Sequence, residues 1–127
     1  MQRHTVIGAS ILASSKSPVL QLAQRIALSH HERWDATGYP HGLGDEAIPI
    51  AARIVAVADV YDALTHDRPY KQAWPAHRAL AEIEQQAGTH LDPQVVAAFL
   101  MDHLAPHTRL DTRQRFGEGS RRVRQAA

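Results

Sequence analysis

The chain has 127 residues and a formal charge of +1, and 44% of its residues are hydrophobic. This length and composition fit one soluble globular domain, and the small net charge argues against a strongly electrostatic nucleic-acid partner. Because the chain has no cysteine, disulfides, thiolate zinc sites, iron–sulfur clusters and cysteine nucleophiles are excluded. No apolar run approaches the ~18 residues of a membrane span, and no signal-peptide pattern is present, so we expect a cytoplasmic protein.

Charge is distributed unevenly along the chain. Residues 1–107 carry a net charge of −3, whereas residues 108–127, with six Arg and two acidic residues, carry +4. The second segment has few large apolar side chains, so it cannot bury enough surface to offset the entropy of ordering it. We therefore predict one folded domain over residues 1–107 and a basic, flexible tail over residues 108–127.

The first two predicted helices form the N-terminal third of the chain. Apolar residues recur at helical spacing over residues 4–15. Ser17-Pro18 is a typical helix start, and a second helix should run from there to about residue 33. That helix places His30 and His31 in its last turn, where successive side chains point about 100° apart. The two histidines should then reach neighbouring ligand positions rather than one metal ion from the same side.

The remainder of the domain is also predicted to be helical, after a long loop. Residues 35–49 contain three Gly and two Pro, and loops of this length are often functional. A third helix over residues 49–66 is unusually apolar before Asp59, which predicts a central position. Its predicted core face consists of Ile54, Val57, Ala58, Tyr61 and Leu64.

Two further helices complete an all-α, compact bundle of about five helices. One spans residues 75–87 and is closed by Gly88. The last begins at Asp92-Pro93, again a cap followed by Pro, and ends near His103. We predict no strand.

Candidate metal ligands stand out because the chain has nine histidines. Imidazole and carboxylate ligands suit Mn, Fe, Zn, Ni or Co. Asp59 lies in an apolar run, so its carboxylate should need a partner, either a metal ion held by His30 and His31 or a cation such as Arg53. From spacing alone, a metal site and purely structural roles remain equally open.

Two loops carry further candidates. Arg68 and Lys71 flank a rigid Pro, an arrangement that fits phosphate binding through a guanidinium fork and a point charge, or simple solvation. In the long loop, Gly38 permits a positive φ, and Tyr39 offers a large amphipathic surface before Pro40. That segment is either a tight turn held by a packed Tyr or a presented recognition surface.

These motifs together resemble the HD-GYP family. The segment HHERWDATGYP at residues 30–40 is similar to the family signature. The segments ADVYDAL at 58–64, RPYK at 68–71 and the stretch from Gly88 to Pro93 follow in the family's order and spacing. The resemblance covers residue 4 to about residue 100.

The resemblance implies a truncated helical HD-superfamily domain, a metal-dependent phosphohydrolase that converts cyclic di-GMP to pGpG or GMP in bacterial signalling. It implies two or three divalent transition-metal ions, with Fe or Mn preferred, and cyclic di-GMP as ligand. Metal ligands of the family match His4, His30, His31 and Asp59, and residues that contact substrate phosphates match Arg68 and Lys71. The loop Gly38-Tyr39-Pro40 matches a surface associated with partners, including GGDEF-type diguanylate cyclases.

The chain also departs from the family pattern. The defining His-Asp doublet lies upstream of the matched segment, and His66-Asp67 stands in the wrong place to replace it. Leu91 replaces the usual Phe, and Ala36 replaces the usual Gly, so its φ should be negative or strained. The absence of the helices that normally cover this segment should expose apolar core surface.

Three hypotheses follow from these departures. The chain retains phosphodiesterase activity, alone or with a partner that supplies the missing half. Alternatively, it is a degenerate, non-catalytic module that binds cyclic di-GMP or a GGDEF-type protein. The third hypothesis is that it is the C-terminal part of a longer, response-regulator-like protein, because Met1 stands only three residues before His4.

Overall fold

The computed structural model describes residues 2–105, and the predicted basic tail over 108–127 lies outside them. The described residues form five α-helices and no strand, which confirms the all-α fold class. The helices are α1 (Arg3–Leu12), α2 (Pro18–Ser29), α3 (Ile50–Thr65), α4 (Ala76–Gln85) and α5 (Pro93–Leu104), with a 3₁₀ turn at Asp45–Ala47. Among these helices, none combines the length and the apolar character needed to cross a bilayer.

The first two helices form an antiparallel pair. Only residues 13–17 connect them, and a connection this short makes consecutive helices antiparallel neighbours. The N-terminus of α1 therefore lies beside the C-terminus of α2. Thr5 and Ala9 of α1 are buried in this contact.

Helix α3 is central, as its composition predicts, and packs against α2, α4 and α5. The buried core cluster consists of Ala56, Val57, Ile83, Leu91 and Val96. Two residues of the predicted core face are instead exposed: Ala58, and Ile54 at 52% exposure. The helix is apolar on nearly every side in its first half, so periodicity does not identify the face that is buried.

A buried ion pair joins α3 to the start of α5. Arg53 Nη1 donates to Asp92 Oδ2 at 2.6 Å, and both side chains are largely buried. Asp92 also caps α5, because its Oδ1 accepts from the backbone N–H of Gln94 at 2.8 Å. The alternative in which Arg53 neutralises Asp59 is therefore wrong.

Candidate metal centre and its surrounding loops

Three of the four predicted metal ligands lie together. One imidazole nitrogen from each of His4, His30 and His31 is within 4.8 Å of the others. The ring centroids of His30 and His31 are 4.0 Å apart, and the His4 ring lies 4.9 Å from that of His31. Nitrogens this close can point at a common ion, since a metal held at ~2.0–2.1 Å from each imidazole requires such a spacing.

The backbone explains how adjacent histidines converge. Helix α2 ends at Ser29, four residues before the predicted end, so that His30 is its C-cap and His31 lies beyond it. The predicted 100° divergence therefore does not apply. The turn after α2 places the rings of His30 and His31 beside the ring of His4, which lies in the first turn of α1. The antiparallel α1–α2 pair is thus the scaffold of the histidine group.

Hydrogen bonding fixes the tautomer of His30. Its Nδ1 lies 3.0 Å from the carbonyl oxygens of both Ile26 and Ala27. Because a carbonyl oxygen only accepts, Nδ1 carries the proton and Nε2 carries the lone pair. A backbone partner of this kind is typical of histidines that bind metal ions, since it orients the ring and raises its basicity.

The surroundings of His31 favour its neutral form. Burial, followed by the charges of His30 and His4 when protonated, holds the pKa of His31 below its ordinary value, and Asp59 opposes this shift. Metal binding requires the neutral ring, so a lowered pKa leaves the ligand ready at neutral pH. Asp59 is exposed rather than enclosed by apolar residues, and its charge acts on His31 from outside the group of three.

The loop after α2 packs against the histidines. The Tyr39 ring is stacked on His31, with centroids 4.9 Å apart and planes at 22°. The backbone N–H of Tyr39 donates to the carbonyl of His31 at 3.2 Å, and the Tyr39–Pro40 peptide is cis. Gly38 is pressed against the same backbone, since a Cβ there would lie 2.5 Å from the Arg33 nitrogen. The structure therefore places a packed Tyr in this turn.

Glu32, which no sequence motif singles out, anchors the loop beside the histidines. Only 2% of its surface is exposed, and its carboxylate accepts from the backbone N–H groups of His41 at 2.8 Å and Leu43 at 2.9 Å. Two such bonds satisfy a buried carboxylate and hold the loop against the end of α2. The one sequence feature that points to a role for Glu32 is its position directly after the two candidate ligands His30 and His31.

Arg68 and Lys71 lie in a separate, tight turn after α3. Their backbones exchange hydrogen bonds of 2.8 and 3.0 Å, and Asp67 closes the turn by accepting from the Ala73 N–H at 2.7 Å. The side chains of residues 67–73 line an open concave surface. Within residues 2–105, neither His30 nor His31 has a hydrogen bond, ion pair or ring contact with this turn.

Comparison with known proteins places this arrangement in a family. A model described as an HD domain matches residues 1–95. The chain belongs to the HD domain family. The HD-GYP resemblance is confirmed as well, because the relatives of this HD domain include a cyclic di-GMP phosphodiesterase of Thermotoga maritima, 54% identical over 100 residues. Another is the cyclic di-GMP phosphodiesterase response regulator RpfG of Xanthomonas campestris pv. campestris, 53% identical over 100 residues.

These matches cover only part of each relative. The aligned residues make up 79% of this HD domain chain but 27% of the Thermotoga protein and 26% of the Xanthomonas protein. The crystal structure of a cyclic GMP-AMP-specific phosphodiesterase of V. cholerae aligns with a TM-score of 0.63 at 22% identity. That alignment covers 81% of this chain and 22% of the other, and at this identity it supports the fold alone.

Proposed function

We propose that the chain provides metal-binding and phosphate-contacting residues for hydrolysis of cyclic di-GMP to pGpG or GMP. The observation that carries the proposal is the convergence of His4, His30 and His31 on one point. Similarity to phosphodiesterases of cyclic di-GMP, at 54% and 53% identity, supports the choice of substrate. The chain spans about a quarter of those proteins, so activity is proposed for it either alone or with further helices.

The residues present fit a divalent transition metal. Three neutral imidazoles would hold one ion, and Asp59 would add a carboxylate from the adjacent helix. This mixed nitrogen and oxygen set suits Fe or Mn, and the family's second and third ions would need ligands beyond these four. When bound, such an ion supplies an acidified water and positive charge at the phosphoryl oxygens.

The other residues orient ligand and substrate. The carbonyl contacts of His30 hold its proton on Nδ1, and Tyr39 covers one face of His31. Arg68 and Lys71 bind the phosphates of the substrate in this proposal, with the guanidinium able to take two oxygens at once. Gly38-Tyr39-Pro40 forms a surface that a GGDEF-type partner contacts at Pro40 and the outer edge of Tyr39.

A second candidate is a binding module without turnover. Among residues 2–105, the group of metal-ligand type contains three side chains, whereas a bridged cluster of two or three ions needs more. The turn that carries Arg68 and Lys71 is nevertheless well formed. A chain with one ion or none would then still bind cyclic di-GMP or a partner without cleaving it.

The test is metal content together with turnover. The purified chain is stripped with a chelator, reloaded anaerobically with Mn(II) or Fe(II), and incubated with cyclic di-GMP, with chromatographic separation of pGpG and GMP. We expect about one ion per chain. His31→Ala should weaken metal binding by more than the ~10–100-fold that loss of an outer hydrogen-bond partner costs.

His66→Ala is the matched control. His66 is an exposed histidine that pairs with Asp62 at the surface, so its removal should leave metal content unchanged. Turnover that depends on His31 supports the enzyme. Metal binding without turnover supports the binding module, and a folded chain that takes up no metal contradicts both the ligand assignment and the proposed hydrolysis.

A further inference from the structure

A cluster of two cations on one aromatic ring lies next to the turn after α3. Lys71 Nζ is 4.4 Å from the centre of the Trp74 ring, and the guanidinium carbon of Arg78 is 3.8 Å from it. We refer to Lys71, Trp74 and Arg78 as the basic–aromatic cluster. Lys71 has a counterpart in the family motif, whereas Arg78 lies in the first turn of α4 and belongs to no motif singled out in the sequence.

The backbone holds this cluster in place. The N–H of Trp74 donates to the carbonyl of Leu64 at 2.8 Å, which ties the segment to the last turn of α3. The N–H of Arg78 donates to the carbonyl of Pro75 at 3.1 Å at the start of α4. These two bonds fix the backbone at Trp74 and at Arg78, and the cations of Lys71 and Arg78 both contact the ring.

Within the part of the chain that the structure describes, the two cations have no acidic partner. Among the ion pairs of residues 2–105, none includes Lys71 or Arg78. Their charged centres are at most about 8 Å apart, since each lies against the same ring, and like charges at this separation repel. Contact with the ring face offsets part of this repulsion, and a bound anion would remove the rest.

We propose that Arg78 is a further phosphate-binding residue, so that the basic–aromatic cluster extends the Arg68–Lys71 turn into a site for a nucleotide phosphate. The inference rests on the proposed function for the identity of the ligand. A guanidinium in contact with a ring face keeps its N–H donors free at its edge, where they can grip two phosphate oxygens. Trp74 acts as the positioning residue because both cations lie against it.

Equilibrium dialysis in the presence of a chelator tests this assignment apart from the metal centre. Two probes are used separately, cyclic di-GMP and inorganic pyrophosphate. Arg78→Gln should weaken binding of both about tenfold or more, as expected for loss of hydrogen bonds to a charged group. Arg78→Lys retains the charge and should retain part of the affinity. Arg25→Gln removes an exposed arginine of α2 and should change nothing.

The outcomes separate this inference from the proposed function. If the wild-type chain binds cyclic di-GMP and Arg78→Gln binds it equally well, Arg78 is not a ligand residue, while the proposed substrate stands. If only pyrophosphate binds and Arg78→Gln loses it, the site stands and cyclic di-GMP is the wrong ligand. Binding of neither probe by the wild-type chain overturns the site.

Discussion

At the scale of single residues, Ala36 and Gly38 show how closely the loop backbone packs against the histidine segment. Gly38 permits a positive φ but does not adopt one; glycine is required there because the 31–33 backbone passes too close for any Cβ. Ala36 has a positive φ of +63°, so the strained alternative holds at the position where the family usually has Gly. A single L-residue in this conformation costs roughly 1–2 kcal/mol.

Gly38→Ala is therefore expected to lower the free energy of unfolding by about 2–3 kcal/mol, because the new Cβ meets backbone atoms that cannot move independently. The displaced 31–33 backbone should also weaken metal binding. Urea unfolding and metal content measure the two effects. Gly8→Ala is the control, since its Cβ would meet Ala27 at an ordinary 3.5 Å and Ala favours a helix. Equal stability of the Gly38→Ala and Gly8→Ala variants would contradict the close approach.

Histidine titration should make the metal-free chain less stable below pH 6.5. Burial and the charge of Arg33 lower the pKa of His90, and burial does the same for His31. Between the lowered pKa and 6.5, the folded chain binds fewer protons than the unfolded chain, so stability falls as the pH falls through this window and is fully present above it. Urea midpoints in chelator, measured above and below pH 6.5, should show this loss. His90→Gln should reduce the slope, and an unchanged slope would rule out a contribution from His90.

At the scale of helices, starts were easier to predict than ends. Asp92-Pro93 combines a side-chain acceptor with the residue best suited to a first turn, and α5 begins there. Helix α2 has no comparable stop signal, because no Gly or Pro follows Ser29 directly. It ends early because the residues after Ser29 make tertiary contacts instead of continuing the helix. The buried Glu32 side chain accepts hydrogen bonds from the loop, and its partners lie 9 and 11 residues further along the chain.

Asp92 should be the most sensitive capping residue. Asp92→Ala removes the acceptor for Gln94 and leaves Arg53 as a buried charge without its partner, so we expect a loss of about 3–5 kcal/mol. Asp92→Asn preserves the cap and should cost less. Asp102→Ala, on the exposed side of α5, should change stability by less than ~0.5 kcal/mol. Urea midpoints compare the three, and a small effect of Asp92→Ala would show that the ion pair contributes little.

At the scale of the whole molecule, apolar surface remains on the outside of the first two helices. Ile7 and Ile11 of α1 are 55% and 73% exposed, and Val19 and Leu22 of α2 are 74% and 47% exposed. The number and order of the helices followed from local signals, as did the candidacy of His30 and His31 as ligands. His4 joined the candidate ligands only through the family resemblance, and local spacing did not predict that the three rings converge. The buried side of α3 did not follow from local signals either, because an almost uniformly apolar helix gives no information on which neighbours it meets.

This surface predicts self-association of the purified chain. Residues four apart on α1 form one apolar strip, and strips of this kind are interaction surfaces. Sedimentation velocity should show a mass that rises with concentration. The double variant Ile11→Glu, Val19→Glu should remain monomeric with little loss of stability, because both side chains are mostly exposed. A wild-type chain that is monomeric at every concentration tested would argue against this role of the strip.

The stack of Tyr39 on His31 has a thermodynamic consequence. A proposed partner that drew Tyr39 away would uncover an imidazole of the histidine group, and one that held Tyr39 in place would preserve the surroundings of that ring. If partner binding changes metal affinity by some factor, metal binding must change partner affinity by the same factor, since the two equilibria form a closed cycle. Metal binding at the histidine group and partner binding at the loop would then be thermodynamically coupled, so that a measurement of one reports on the other.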